Sequence, residues 1–301
     1  MRLFLVKFVL RSSAVVLACL PAAALSHAQL TRSSQDSRVP VTWEIEMMNV
    51  ELAVMTDAQR QGIDPKEENA FKAFYNPKAE LDKKIQLGQA FLRKYPKSPL
   101  AEAVDAGLVN AYVAKQDWKN VYASADSALA LKPDDVDVLT TLGWVIPHVY
   151  QADDPNGSAE LDKAERCEKH AMEVMATMPK PVGVSEAEFA AMKGQKSAQA
   201  HSALGLVYFR REDYANSAKE LEAIMQGNPN PDATDVYVLG LDLQKVQRYQ
   251  EAADAFNRCA QLGSALEDTC KRNADLAKGQ SAQSKLGSQS TIQEPRTSHF
   301  R

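Results

Sequence analysis

Residues that build strands are scarce in this sequence. Isoleucine and threonine are sparse beyond the first twenty positions, while alanine, leucine, glutamate, lysine and glutamine are plentiful. That bias is towards helix. Beyond the N-terminal leader no segment approaches the ~18 apolar residues of a membrane span. There is no basic block, and the net charge of −4 is mildly acidic, which excludes the electrostatic footprint of a nucleic-acid binder. No GxSxG, phosphate-binding loop or HExxH stretch occurs. An enzyme is therefore not expected, and no cofactor or metal is expected.

The first 28 residues have a composition of their own. MRLFLVKFVLR carries three cations and no acid, SSAVVLACLPAAAL is apolar, and Ser26-His27-Ala28 follows with small residues at its ends. This is the three-part layout of a secretory signal peptide, with cleavage placed after Ala28. An uncleaved anchor is the alternative. Loss of the leader takes the net charge from −4 to −7 and leaves Cys167, Cys259 and Cys270. In an oxidising compartment this odd count leaves at least one thiol unpaired within the chain. Cys259 and Cys270 flank a turn at about Leu262–Ser264, each roughly one helical turn from it. A bridge between them and two separately packed thiols are both open.

Self-similarity is the main signal. A helix ending with an acid and an aromatic recurs at Asp117-Trp118 and Asp213-Tyr214, with Arg248-Tyr249 as a third version. Pro133 and Pro229 each follow sixteen residues after the acid. Val109, Gly143, Gly205 and Gly240 fall at equivalent places, each preceded by leucine and followed by a large apolar residue. An interior helical glycine costs about 1 kcal/mol relative to alanine, so its recurrence calls for a packing reason.

These residues resemble the tetratricopeptide repeat, a 34-residue pair of antiparallel helices. The repeat at 198–231 matches at Leu204, Gly205, Tyr208 and Pro229 and departs at His201, Ser217 and Ile224. The repeat at 233–266 matches at Leu239, Gly240, Ala252 and Phe256, with Cys259 replacing a small alanine. The repeat at 102–135 matches at Leu108, Tyr112, Ala128 and Pro133, with Val109 in the glycine's place, where looser packing is expected. The resemblance implies an all-α fold, a right-handed superhelical solenoid of antiparallel helix pairs.

Along the chain this gives a signal peptide at 1–28 and a flexible N-terminus at 29–41. A capping helix at about 42–59 has Trp43, Met47, Val50 and Val54 on one stripe, and a degenerate repeat carrying Phe71, Phe74 and Tyr75 completes 42–97. The stretch FLRKYPKSPLAEA (91–103) resembles a junction common in bacterial envelope proteins with these repeats. A repeat at 98–135 follows, and then an irregular one at 136–184, whose first helix Pro147 stops and in which DDPNG (153–157) forms a long turn. At 185–231, Ser185 and Glu188 form a capping box that opens an extended first helix. Residues 232–278 hold the last repeat and a closing helix, and 279–301, rich in Ser and Gln, read as disordered.

Candidate chemistry is thin. His201 stands at a core place. Cys167 and His170, three apart on one helix, lack two further ligands at local spacing, so no metal site is assigned. Asp153, Asp154, Asn156 and Glu160 miss the calcium-loop pattern. The resemblance instead implies a concave groove lined by first helices. Its lining here is Asn110, Val113, Trp144, His148, Leu206, Phe209, Arg210, Tyr237, Leu241, Gln244 and Lys245. An aromatic stripe with a few cations suits an extended peptide or a partner helix, unless these side chains cover one another. Some family members grip a terminal carboxylate with paired Asn and Lys. Asn110 fits that pattern, but Trp144 stands where the next Asn belongs. The expectation is an exported, periplasmic or secreted, non-catalytic adaptor that binds a protein or peptide, with no nucleic acid and no membrane span in the mature chain. The alternative is a structural part of a cell-envelope assembly using its convex face and end helices.

Overall fold

The computed structural model describes residues 63–181, 184–226, 228 and 230–290, with side chains to Leu286. Every regular element among the described residues is an α-helix. In chain order they are α1 (Pro65–Phe74), α2 (Leu81–Lys94), α3 (Ala101–Lys115), α4 (Trp118–Leu131), α5 (Val136–Val149), α6 (Gly157–Thr177), α7 (Glu186–Arg210), α8 (Tyr214–Met225), α9 (Ala233–Lys245), α10 (Tyr249–Gln261) and α11 (Glu267–Ser290). The leader, the 42–59 stripe, Pro229 and residues 291–301 lie outside the described residues.

Local chemistry sets the helix ends. Asp64, Asp117, Asp135, Asp213 and Asp232 are N-caps whose carboxylates accept from backbone N–H groups of the first turn. Ser185 and Glu188 close a reciprocal capping box, and the helix they open runs 25 residues. The turns into α4, α8 and α10 are one design used three times. Gln116, Glu212 and Gln247 sit at φ 56°, 60° and 63°. The following N–H, of Asp117, Asp213 and Arg248, then reaches back to the carbonyl of Tyr112, Tyr208 and Leu243 at 3.0, 2.9 and 2.8 Å. A left-handed residue with a long-range back-bond is how a helix is stopped and reversed within two residues.

Each helix packs on the next in sequence, and the odd-numbered helices α3, α5, α7 and α9 also pack on one another. One apolar core runs from α1 to α6 and takes in Val207 of α7, and a second joins α8 to α11. The helical glycines mark the pair interfaces. A Cβ on Gly205 would come within 2.7 Å of Leu221, and one on Gly240 within 2.6 Å of Phe256. The lost helix propensity is thus offset by close approach of the paired helix.

Three expectations need correction. Pro147 does not stop α5, which continues to Val149. The ring costs only the bond to the Gly143 carbonyl, tolerable this close to a helix end. Val109 does not mark looser packing, since it is 1% exposed. Ala125, spaced from Val109 as Leu221 and Phe256 are from Gly205 and Gly240, is fully buried in the same core. The chain remains helical past 278, to Ser290. Ser281 is buried and Gln280 accepts a hydrogen bond from Gln244 Nε2 at 2.6 Å, so packing on α9 holds a segment whose composition alone would not.

Candidate functional site

The residues expected to line a groove fall into three groups. On α3, Asn110 is exposed and Val113 half-buried against the first core. Near the end of the chain, Tyr237 accepts from Asn273 Nδ2 at 3.4 Å, and Gln244 is bonded to Gln280. The closing helix α11 therefore engages both, while Leu241 packs half-buried in the second core. Leu206 is only 8% exposed. Phe209 stacks edge-on to Tyr214 at 5.9 Å, and Lys245 lies 5.4 Å above the same Tyr214 ring.

The middle group is built differently. Trp144 and His148, one turn apart on α5, stack at 4.0 Å with ring planes 30° apart. His148 Nδ1 lies 2.6 Å from the Trp144 carbonyl oxygen. That nitrogen must carry the hydrogen, so Nε2 of the neutral ring is left as an acceptor. Arg210, the last residue of α7, donates from Nε to the carbonyl of Pro147 at 3.1 Å. Its guanidinium carbon sits 6.0 Å from the Tyr150 ring. Among the described residues no carboxylate pairs with Arg210. Burial pulls both groups below their ordinary values. The imidazole falls to about 4, with the Arg210 charge adding to the effect and the Trp144 carbonyl and Asp232 opposing it. The guanidinium is lowered as well, with Tyr150 the opposing influence.

Tyr150 was not singled out from the sequence, and Tyr214 was read only as part of the recurring acid–aromatic signal, not as a groove residue. In the structure Tyr150 is the C-cap of α5 and Tyr214 the first residue of α8. Compared with protein-family models and with curated proteins, the chain matches none.

The remaining candidates separate. Cys167 is buried, and burial lifts its thiol to about 11. His170 is exposed and bonded through Nε2 to Asp134 at 2.7 Å. The two share a helix but not an environment. His201 Nδ1 meets Glu220 at 2.7 Å. Cys259 and Cys270 are bonded to each other, with Cα atoms 5.9 Å apart.

A charged cluster that the sequence did not announce locks α6 to α7. Glu165 accepts from Lys169 at 2.6 Å and Tyr208 at 2.9 Å, and also pairs with Arg211, which reaches on to Asp162. Burial pushes Glu165 up, but these bonds outweigh it and hold the carboxyl at about 2. With every charge engaged inside the protein, this cluster is structural.

Proposed function

We propose that the chain is an exported helical-repeat protein of the tetratricopeptide kind, a solenoid whose first helices present a groove to a protein or peptide partner and which performs no chemistry. The observation that carries this reading is the Trp144–His148–Tyr150–Arg210 cluster. Aromatic faces and a cation without a counter-charge, on two neighbouring first helices, are the surface that anchors a partner. The thrice-used αL turn supports the repeat architecture. The Cys259–Cys270 bond supports residence in an oxidising compartment. The second reading, an envelope-assembly component, draws on the end helix, where Leu276 and Leu286 are 61% and 64% exposed.

In-cell crosslinking followed by mass spectrometry names the partner, and rebinding of the purified partner then tests the groove. Trp144→Ala, with helicity unchanged by circular dichroism, is expected to weaken rebinding at least tenfold, the loss of about 1.4 kcal/mol that marks an anchor residue. Unchanged binding with that variant, and loss on Leu276→Asp, would favour the end-helix reading.

A further inference from the structure

The middle of the candidate groove holds a cation that the fold does not neutralise. Arg210 spends one N–H on the Pro147 carbonyl. Its η nitrogens meet no acceptor among the described residues. Several of its neighbours are paired: Arg211 with Glu165 and Asp162, Lys169 with Glu165, Lys196 with Asp137 and Lys163 with Asp126, whereas Arg166 is exposed to water and Lys193 lies over the Phe189 ring. A guanidinium withdrawn from water without a counter-charge is costly to the fold. Its free edge is the planar fork that matches a carboxylate.

We propose that Arg210, with His148 and the Tyr150 ring beside it, forms a subsite for a carboxylate of the bound polypeptide. Three features make it a site and not merely a charge. The Pro147 carbonyl fixes the guanidinium through Nε, leaving the η edge for a ligand. The Nδ1 bond to the Trp144 carbonyl and the stack on that indole fix the His148 ring. His148 Nε2 is left without a partner among the described residues. Trp144 and Tyr150 supply apolar flanks for the stem of an acidic side chain.

The ligand's charge also changes His148. The groups acting on this ring are Arg210 from α7, which disfavours its protonation, and Asp232 at the start of α9, which favours it. Asp232 is occupied as the N-cap of α9, accepting from Thr234 N at 2.7 Å. Burial is the largest influence on the ring, and a carboxylate seated on Arg210 offsets the smaller contribution of that charge. Below about pH 5 the ligand therefore favours a proton on Nε2, which then becomes a second donor to it, while at neutral pH Arg210 is the group that holds the carboxylate. The arrangement differs from the paired Asn and Lys grip, because Asn110 is exposed on α3 and Trp144 occupies the second position.

The subsite rests on the groove reading, and the test keeps the two apart. The probe is N-acetyl-glutamate α-amide, with N-acetyl-glutamine amide as the uncharged isostere and N-acetylglycine as a chain-terminal carboxylate. The full chain is observed through the His148 ring resonances by NMR. Saturable shifts are expected in the millimolar range with the glutamate probe or with N-acetylglycine, and the stronger of the two names the source of the carboxylate. The His148 titration midpoint is expected to rise by about one unit on saturation. Arg210→Gln should weaken probe binding at least tenfold, and Arg210→Lys should recover part of it. Equal shifts with the glutamine probe, binding of inorganic phosphate alone, or undiminished binding in Arg210→Gln with its other resonances in place would overturn the subsite. If the probe fails while partner capture still depends on Trp144, the subsite falls and the groove stands. If the probe binds while Trp144→Ala leaves partner capture intact, the groove reading falls instead.

Discussion

Glu168 stands where Leu221 and Phe256 stand in later helix pairs, pressed on the glycine of its paired helix. A Cβ on Gly143 would come within 2.7 Å of three atoms of the Glu168 side chain. The residue is fully buried, and neither carboxyl oxygen has a hydrogen-bond partner. Burial pushes it from an ordinary 4.5 to about 9, with only the Lys196 charge opposing, and that lysine is itself tied to Asp137. Asp242 is the second such acid, raised by burial to about 8 against its bond with Ser217. The hydrogen bonds around Ser217 agree with a neutral Asp242. The one hydroxyl hydrogen of Ser217 faces both the Gly205 carbonyl at 2.8 Å and Asp242 Oδ2 at 2.5 Å. Only if Asp242 donates to Ser217 can Ser217 donate to Gly205. Both acids bind their proton more tightly folded than unfolded. Their contribution is therefore largest below their unfolded values and is lost as pH rises through about 8 and 9. Each adds a slope approaching about 1.4 kcal/mol per pH unit in that window. The melting temperature is expected to fall between pH 5 and pH 8. Glu168→Leu recreates the Gly205–Leu221 pairing. It is expected to add about 1–3 kcal/mol at pH 7 by removing an unsatisfied buried group, and to flatten the pH dependence. A variant less stable than the parent at pH 8 would show that Glu168 has a stabilising partner in the folded protein.

At the scale of elements, the turns carry strain that their residues do not relieve. Gln116, Glu212 and Gln247 adopt the left-handed region, where an L residue with a Cβ is disfavoured by about 1–2 kcal/mol. Glycine is the usual occupant of this position. Gln247→Gly should therefore raise the urea midpoint by the equivalent of about 0.5–1 kcal/mol, less than the full strain because glycine also loosens the unfolded chain. Gly205→Ala should lower it by about 1–3 kcal/mol, because the new methyl meets the buried Leu221 inside a packed core. A neutral Gly205→Ala would mean that α7 and α8 can separate without cost, contrary to the packing role assigned to the repeat glycines.

At the scale of the whole molecule, the sequence showed periodicity better than it showed chemistry. The helix start at Ser185 was legible because a capping box needs two residues at fixed places, whereas Asp117 and Asp213, read as the end of one helix, cap the start of the next. Glycines at pair interfaces were legible because they break propensity without a local reason. The partner's size across that interface was not, since Ala125 lies on a different helix from Val109. Nor was Glu168, which reads as a surface acid until α5 and α7 close over it. The Arg210 cluster was half legible: the groove positions named Trp144, His148 and Arg210, but Tyr150 joins them only through the path of the chain after Pro147. The closing helix shows how distant contacts order a polar segment. It is held to α9 by Gln280 and Asn273, and to α10 by the bond between Cys259 and Cys270. That bond closes a loop of 11 residues in sequence separation, for which chain entropy gives about 3 kcal/mol. Reductant is expected to lower the urea midpoint of the full chain accordingly and to speed amide exchange in α11 before α3 and α4. Intact mass after denaturing alkylation without reductant should show one modified thiol, Cys167, in the chain lacking residues 1–28. Folded protein should show none, since Cys167 is buried and its thiol poorly ionised. Three alkylated thiols would remove both the bridge and the argument for an oxidising compartment, and the order of α11 would then have to come from its contacts with α9 alone.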